Sequence, residues 1–220
     1  MTLWVFGDSL SLPFDLEAED IGWPSLLSHK LNVDLKNFAE VAADNFFIYC
    51  CYLENKKYIQ SGDLVVVGWS HPSRKSFVLD RNNSTQVQVI DDSYVYRARQ
   101  EFIRKKNIKK TNGITGTHWT SIMKPANTGV SYYDTWFENY YSEYEQMCNL
   151  QSYHDSVKYT CPTTCLTFFF SKESISGLTL DSNNFALDFI VKHQLNISDT
   201  NLHFNSAGHA AWADHLYNQL

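Results

Sequence analysis

Residues 2–11 read TLWVFGDSLS, an apolar run that stops on glycine, aspartate and serine. The run at 2–6 is too continuous for a strand with one face in water, so we expect both faces to be buried, as in a parallel sheet. Gly7 permits a tight turn out of the strand. This turn would present the hydroxyl of Ser9 at the corner, with its backbone N–H pointing the same way. A plain turn built by Asp8 and Ser9 is the alternative.

The rest of the chain alternates strand and helix patterns. Short apolar runs predict further strands at 33–38, 64–68 and 165–170. Helical patterns cover 23–31, 45–58, 133–148 and 205–220. This alternation predicts an α/β fold in which an open, mostly parallel sheet lies between helical layers.

The strongest helical period belongs to a row of mostly aromatic residues. Its members are spaced by threes and fours and are Tyr133, Trp136, Phe137, Tyr140, Tyr141, Tyr144, Met147 and Cys148. The acidic residues nearby fall largely off this row, which predicts a long amphipathic helix. We expect the row to pack on the sheet, and a groove for a carbohydrate or an acyl chain is the alternative.

A chain of 220 residues is long enough to form one domain with a substantial core, so we predict a single domain over 1–220. Residues 72–130 break the alternation with serine, asparagine and glycine turns and one weak strand candidate at 87–90. A segment of this length is uncommon as a plain connection in a compact domain. We predict that 72–130 is a lid or an insertion that faces the substrate.

The net charge of −6 argues against a nucleic-acid-binding protein, because such binding needs a basic face. A basic run at 97–110 is expected to be a solvated face, with a small anion-binding patch as the alternative. No apolar stretch has the length of a bilayer span and no signal-peptide pattern opens the chain, so we expect a soluble cytoplasmic protein. The five cysteines follow neither a disulfide framework nor a metal spacing, which predicts free thiols and no metal site.

A serine hydroxyl is a weak nucleophile and needs a base within hydrogen-bond reach that a third group orients. Among the eight histidines, His203 follows Asp199 by four positions, in a stretch that we expect to be a short loop before the last helix. Asn205 is a suitable cap for that helix and would anchor the loop. A single histidine usually has a structural role, but the carboxylate, the loop and the cap together favour a base.

Two motifs at opposite ends of the chain, FGDSLS and DTNLHFNSAGH, resemble those of the SGNH/GDSL hydrolases. The resemblance covers roughly residues 1–75 and 160–220. It implies a three-layer α/β/α sandwich with a mostly parallel sheet of about five strands in flavodoxin-like order, with an insertion after the third strand.

By position, the resemblance makes Ser9 the nucleophile, which also offers its backbone N–H to the oxyanion. His203 would be the base, Asp199 would hold its other ring nitrogen, and Asp8 would support the serine turn. Members of the family usually place two residues between this aspartate and histidine and a proline after the histidine. Here three residues intervene and Phe204 follows.

The other two family blocks depart further from the pattern. In the block that Asn37 opens, Ala42 stands where a glycine supplies an oxyanion N–H, a donor that alanine keeps if its backbone adopts the same dihedrals. At the end of the third strand, Gly68 is followed two residues later by Ser70, where the family has an asparagine that donates its side-chain amide. The hydroxyl of Ser70 is a shorter donor, so either it reaches the oxyanion, or Arg74 or His71 substitutes for it, or the enzyme is slow.

The resemblance implies hydrolysis of a carboxylic ester through an acyl-serine intermediate, with no metal or organic cofactor. Expected substrates are O-acetyl groups on glycans, which the aromatic-rich composition favours, or short-chain and lipid esters. The alternative is an SGNH scaffold with weakened catalysis that binds a carbohydrate or a partner. The Gly-Trp-Ser form of the third block is similar to that of tailed-phage members, which adds a virion-associated location to the cytoplasmic one.

Overall fold

The computed structural model describes residues 1–12, 22–40, 43–79, 118–123, 139–176, 178, 184–198 and 201–220. The strands are β1 (Thr2–Phe6), β2 (Asp34–Asn37), β3 (Leu64–Trp69), β4 (Arg74–Leu79), β5 (His118–Met123), β6 (Thr164–Phe169), β7 (Asn196–Ser198) and β8 (Asn201–Phe204). The helices are α1 (Trp23–Leu31), α2 (Asn45–Asn55), α3 (Glu143–Thr160), α4 (Ala186–His193) and α5 (Ser206–Tyr217).

Four parallel strands form the central sheet in the order β2-β1-β3-β6. Beyond β6, the backbone of Phe169 forms a parallel bridge with Phe185, and its N–H donates to the carbonyl of Asn184 at 2.8 Å. The chain therefore follows β6 along the edge where a fifth strand would lie. The predicted α/β fold with a mostly parallel sheet is confirmed, with four of the expected five or so strands formed in the described part.

The two faces of the sheet bury separate apolar clusters because successive side chains of a strand point to opposite faces. Along β1, Leu3 and Val5 contribute to one cluster and Trp4 and Phe6 to the other. The first cluster packs against α1, α4 and α5, and the second packs against α2 and α3. Helices thus cover both faces, as the continuous apolar strands predicted.

The helix predicted from the aromatic row is placed differently in the structure. The helix α3 begins at Glu143, where the Ser142 hydroxyl accepts a hydrogen bond from the N–H of Glu145, and its buried face consists of Leu150, His154 and Val157. Tyr140 precedes it and is 70% exposed, and Tyr144 is 78% exposed. The prediction that this row packs on the sheet is wrong for these two rings, and the part at 133–138 lies outside the described residues. A serine followed three residues later by glutamate is a capping box, and it starts the helix here.

The predicted insertion contains a two-stranded antiparallel hairpin, β4 with β5. Between them, residues 80–117 lie outside the described part of the chain, and so do the strand candidate at 87–90 and the basic run at 97–110. A lid or substrate-facing role for 72–130 stays a prediction. None of the helices in the described ranges is long and apolar enough to cross a membrane.

The stretch around His203 is a strand and not the predicted loop. The strands β7 and β8 form an antiparallel hairpin directly before α5, with Asn196 opposite Phe204. Phe204 is buried and packs on Trp212 of α5 at 5.7 Å between ring centroids. The side chain of Asn205 caps α5 by accepting from the N–H of Gly208 at 2.8 Å, as predicted. The hairpin is therefore anchored to α5 at the carboxyl end of its second strand.

Candidate active site

Ser9 begins a single 3-10 turn, Ser9–Ser11, at the carboxyl end of β1. The carboxylate of Asp8 caps this turn by accepting the N–H of Leu10 at 3.0 Å, and the indole of Trp23 donates to the Leu10 carbonyl at 2.9 Å. Gly7 is required by close approach, since a Cβ at this position would lie 2.5 Å from the hydroxyl of Ser11. The first residues of such a turn have backbone N–H groups that the turn itself leaves without partners. The N–H of Ser9 is one of them.

The two ends of the chain meet at the Ser9 hydroxyl. The Nε2 atom of His203 lies 2.8 Å from Ser9 Oγ, although the residues are 194 positions apart. The strand β8 carries this imidazole over the turn that starts with Ser9. The serine is 7% exposed and the histidine is partly buried, so the contact is screened from bulk water without being closed off.

The other ring nitrogen of His203 faces a residue that the sequence analysis did not single out. Its Nδ1 atom lies 2.8 Å from the side-chain oxygen of Asn201. The two side chains share one face of β8 because they are two residues apart in a strand. That spacing, once β8 is known to be a strand, is the signal that would have pointed to Asn201. Asp199 lies outside the described residues, so its contact with His203 stays a prediction.

The electrostatic environment of His203 favours the neutral ring. Burial lowers the pKa of His203 below its usual 6.5, the carboxylate of Asp8 acts in the opposite direction, and the guanidinium of Arg74 lowers the pKa further. A neutral imidazole is the form that can accept a proton from a serine hydroxyl. The site therefore keeps its candidate base in the reactive state at neutral pH.

Arg74 links two of the predicted blocks. Its Nη1 donates to Asp8 Oδ2 and to the carbonyl oxygen of Ala43, at 3.3 Å in each case. The side chain of Arg74 is only 15% exposed and that of Asp8 only 3%, so this ion pair lies largely out of contact with water. Arg74 thus ties the turn that carries Ser9 to the loop that leads into α2. Ala42, the predicted oxyanion donor of that loop, lies outside the described residues.

The block opened by Asn37 is fixed to the serine turn as well. The amide of Asn37 donates to the carbonyl of Ser11 at 2.9 Å, and its oxygen accepts the N–H of Ala39 at 3.0 Å. Further along, the N–H of Glu40 donates to the carbonyl of Gly7 at 3.1 Å. Asn37 is therefore a structural link between the carboxyl ends of β1 and β2.

The third block ends β3 at Ser70, which is buried and held by Asn45 from the start of α2. The Ser70 N–H donates to Asn45 Oδ1 at 2.8 Å, and Asn45 Nδ2 donates back to the Ser70 carbonyl at 3.1 Å. The Ser70 hydroxyl itself has no hydrogen-bond partner among the described residues. The amide of Asn45 serves the backbone, and the hydroxyl remains available as a donor. Trp69 packs in the core on the α2 and α3 face of the sheet.

Gly68 owes its place to packing. A Cβ there would lie 2.2 Å from the ring of Phe168, which is opposite it in the β3–β6 register.

No group of three or more histidine, cysteine, aspartate or glutamate side chains in the described part of the chain is placed to hold a metal ion. The groups that the structure gathers around Ser9 are an imidazole, amides, hydroxyls and one ion pair.

No family model matches the sequence, and no curated protein does. Three solved structures have similar folds. The psychrotrophic esterase EstA from Pseudoalteromonas sp. is 14% identical with a TM-score of 0.49, and the match covers 99% of this chain and 94% of that one. A putative lipolytic G-D-S-L protein from Desulfitobacterium hafniense DCB-2 is 11% identical with a TM-score of 0.40, with coverages of 100% and 99%, and Bacillus subtilis protein YXIM is 16% identical with a TM-score of 0.48, with coverages of 99% and 55%. The likeness to these structures concerns the fold alone. The distances around Ser9 are what bears on the function.

Proposed function

We propose that this chain is a serine esterase of the SGNH/GDSL type, which hydrolyses a carboxylic ester through an acyl-serine intermediate. Ser9 is the nucleophile and His203 is the general base. The observation that carries the proposal is the 2.8 Å contact between His203 Nε2 and Ser9 Oγ. Several contacts fix the turn, and a histidine from the other end of the chain lies at its serine hydroxyl. This placement supports transfer of a proton from Ser9 to His203.

In the first step, Ser9 Oγ attacks the ester carbonyl carbon and its proton passes to His203 Nε2. The tetrahedral intermediate then breaks its bond to the alkoxy oxygen, which leaves as an alcohol after receiving that proton. In the second step, a water molecule gives a proton to His203 and attacks the acyl carbon, which releases the carboxylic acid and restores Ser9. These steps need no redox chemistry and no organic cofactor.

The negative charge of the tetrahedral intermediate needs donors beside Ser9 Oγ. The backbone N–H of Ser9, the backbone N–H of Ala42 and the hydroxyl of Ser70 are the proposed donors. The buried Ser70 hydroxyl, which has no partner in the described residues, supports its assignment. Within the described part of the chain, the hydrogen bonds of Arg74 use only Nη1. Its remaining N–H groups are therefore an additional source of positive potential for the oxyanion.

The proposed substrate class is a small or glycan-borne ester, with O-acetyl groups on glycans preferred. An aromatic patch on α2 and α3 supports a sugar-binding surface: Tyr49 and Tyr153 are stacked at 4.7 Å, and Phe46 lies 6.2 Å from Tyr153. Phe46 is exposed and follows Asn45, which holds Ser70. Sugar rings stack on such surfaces through their apolar faces. Short-chain and lipid esters are the other candidates, with a cytoplasmic or virion-associated location.

A second candidate function is a scaffold that binds a carbohydrate or a partner with little turnover. The observation that favours it is the loss of the family's asparagine at Ser70, combined with the use of Asn45 for the backbone. Removal of one oxyanion donor typically lowers turnover by about a hundredfold or more. Labelling of the nucleophile separates the two candidates, because a scaffold without an activated serine does not react.

The test is reaction of the purified chain with a fluorophosphonate probe, followed by mass mapping of the modified peptide. We expect modification at Ser9 and hydrolysis of p-nitrophenyl acetate, and we expect Ser9→Ala to lose both. Ser11→Ala is the matched control, because Ser11 lies in the same turn without contacting His203, and it should remain labelled. Wild-type protein that neither reacts with the probe nor hydrolyses acyl esters would show that the esterase assignment is wrong.

The pH dependence of hydrolysis should report the low pKa of His203. Neutral imidazole is the base, and burial keeps its pKa below 6.5, so activity should persist as the pH falls and be lost only on passing through that lowered pKa. We expect the acidic limb of kcat/KM to have its midpoint below pH 6.5, measured on p-nitrophenyl acetate between about pH 4 and 8. A midpoint at or above that value would contradict the role of burial.

A further inference from the structure

Asn201 contacts His203 at two points, one on the backbone and one on the ring. Its side-chain oxygen accepts the backbone N–H of His203 at 3.2 Å and also lies 2.8 Å from His203 Nδ1. The nitrogen and oxygen of an amide side chain are distinguished by their partners. A backbone N–H can only donate, so the atom that faces it must be the oxygen.

The orientation of the amide determines the tautomer of the ring. Since the oxygen faces Nδ1 and has no proton to give, Nδ1 must carry the hydrogen. The lone pair of the neutral ring is then on Nε2, the atom that lies 2.8 Å from Ser9 Oγ. The Ser9 hydroxyl consequently donates to Nε2, which is the arrangement that removal of its proton requires.

We propose that Asn201 is the positioning residue of the site: its amide oxygen holds the Nδ1–H of His203 and so aims the Nε2 lone pair at Ser9. The catalytic consequence of this proposal rests on the proposed function, and the proposal adds Asn201 to the pair formed by Ser9 and His203. The two bonds to Asn201 are local, within three residues of β8, so the hairpin itself sets the ring orientation. A neutral amide fixes the tautomer without adding charge to the imidazolium.

Three variants test this inference on p-nitrophenyl acetate. Asn201→Ala should lower kcat by about a hundredfold to ten-thousandfold with little change in KM, because the wrong tautomer becomes accessible. Asn201→Asp keeps the acceptor oxygen and adds a charge, so it should stay within about tenfold of wild type and move the acidic limb of kcat/KM to higher pH. Leu202→Ala, on the opposite face of β8, should keep kcat within about twofold of wild type.

A spectroscopic readout separates this inference from the proposed function. In proton–nitrogen correlation spectra of the imidazoles, wild-type His203 should be the Nδ1–H tautomer, Asn201→Ala should show a mixture, and Asn201→Asp should raise the His203 pKa. Leu202→Ala is the matched control: Leu202 is 41% exposed, on the opposite face of β8, and this variant should keep the wild-type tautomer.

The possible results distinguish failure of the esterase proposal from failure of the role of Asn201. An inactive wild type with an Asn201-dependent tautomer would end the esterase proposal and support the role of Asn201. An active wild type whose tautomer and kcat are unchanged in Asn201→Ala would overturn the role of Asn201 alone.

Discussion

His203→Ala is expected to lower kcat for p-nitrophenyl acetate by about ten-thousandfold, with KM nearly unchanged. In the proposed mechanism, the imidazole accepts the Ser9 proton during attack and returns it to the leaving alcohol, so its loss should affect both proton transfers. Substrate binding does not use this proton transfer, which is why KM should hardly move. Initial rates over a range of substrate concentrations separate the two constants.

His29→Ala is the matched control for this experiment. His29 is exposed on α1, away from Ser9, and its replacement should leave kcat within about twofold of wild type. Thermal unfolding of both variants checks that the fold is retained. If His203→Ala kept more than about a tenth of the wild-type kcat while remaining folded, another group would have to be the base.

Much of the central fold was predictable because the decisive patterns are local. The first three apolar runs of the sheet correspond to β1, β2 and β3 within one residue at each end, and the last to β6 shifted by one. The apolar run from Leu3 to Phe6 is enough to predict that both faces of β1 are buried, and therefore that helices cover both faces of the sheet. The starts of α1 and α5 were equally predictable, because Pro24 lies in the first turn of α1 and Asn205 caps α5.

The aromatic row was misread for a physical reason. Spacing by threes and fours shows which residues could share a helical face, but not where a helix begins. The capping box at Ser142 decides that point, and it leaves Tyr140 outside α3 and Tyr144 on its exposed side. Boundary signals of this kind outweigh periodicity where the two disagree.

Within the candidate site, the sequence predicted which serine and which histidine meet, while the partner of the histidine required three-dimensional information. Asp199 was favoured because a carboxylate is the usual partner. The contact of Asn201 with His203, on which its proposed role rests, became visible only with the assignment of β8 as a strand, because residues two apart face the same side in extended backbone. The bridge made by Arg74 was likewise hidden, because it joins residues from three separate segments.

Gly68→Ala is expected to destabilise the chain by about 3 kcal/mol, measured as the shift of the urea unfolding midpoint. The added Cβ would lie 2.2 Å from Cζ of Phe168 and 2.8 Å from both adjacent ring carbons. The ring cannot step aside easily, because Trp23 and Trp212 meet it edge-on at 5.8 Å and 5.4 Å and all three side chains are buried. Either β3 moves away from β6 or the cluster repacks, and both responses cost free energy.

Removal of the obstructing ring should abolish that cost. In a Phe168→Ala background the space above residue 68 is open, and alanine in a strand is favoured over glycine by roughly 0.5–1 kcal/mol because less backbone entropy is lost on folding. Gly68→Ala should then be neutral or stabilising, and the difference between the two backgrounds measures the steric coupling. An equal cost in both backgrounds would instead indicate a backbone requirement at Gly68. The expected coupling explains why a glycine precedes Trp69 and Ser70 at the end of β3, because the ring of Phe168 leaves no space for a side chain at position 68.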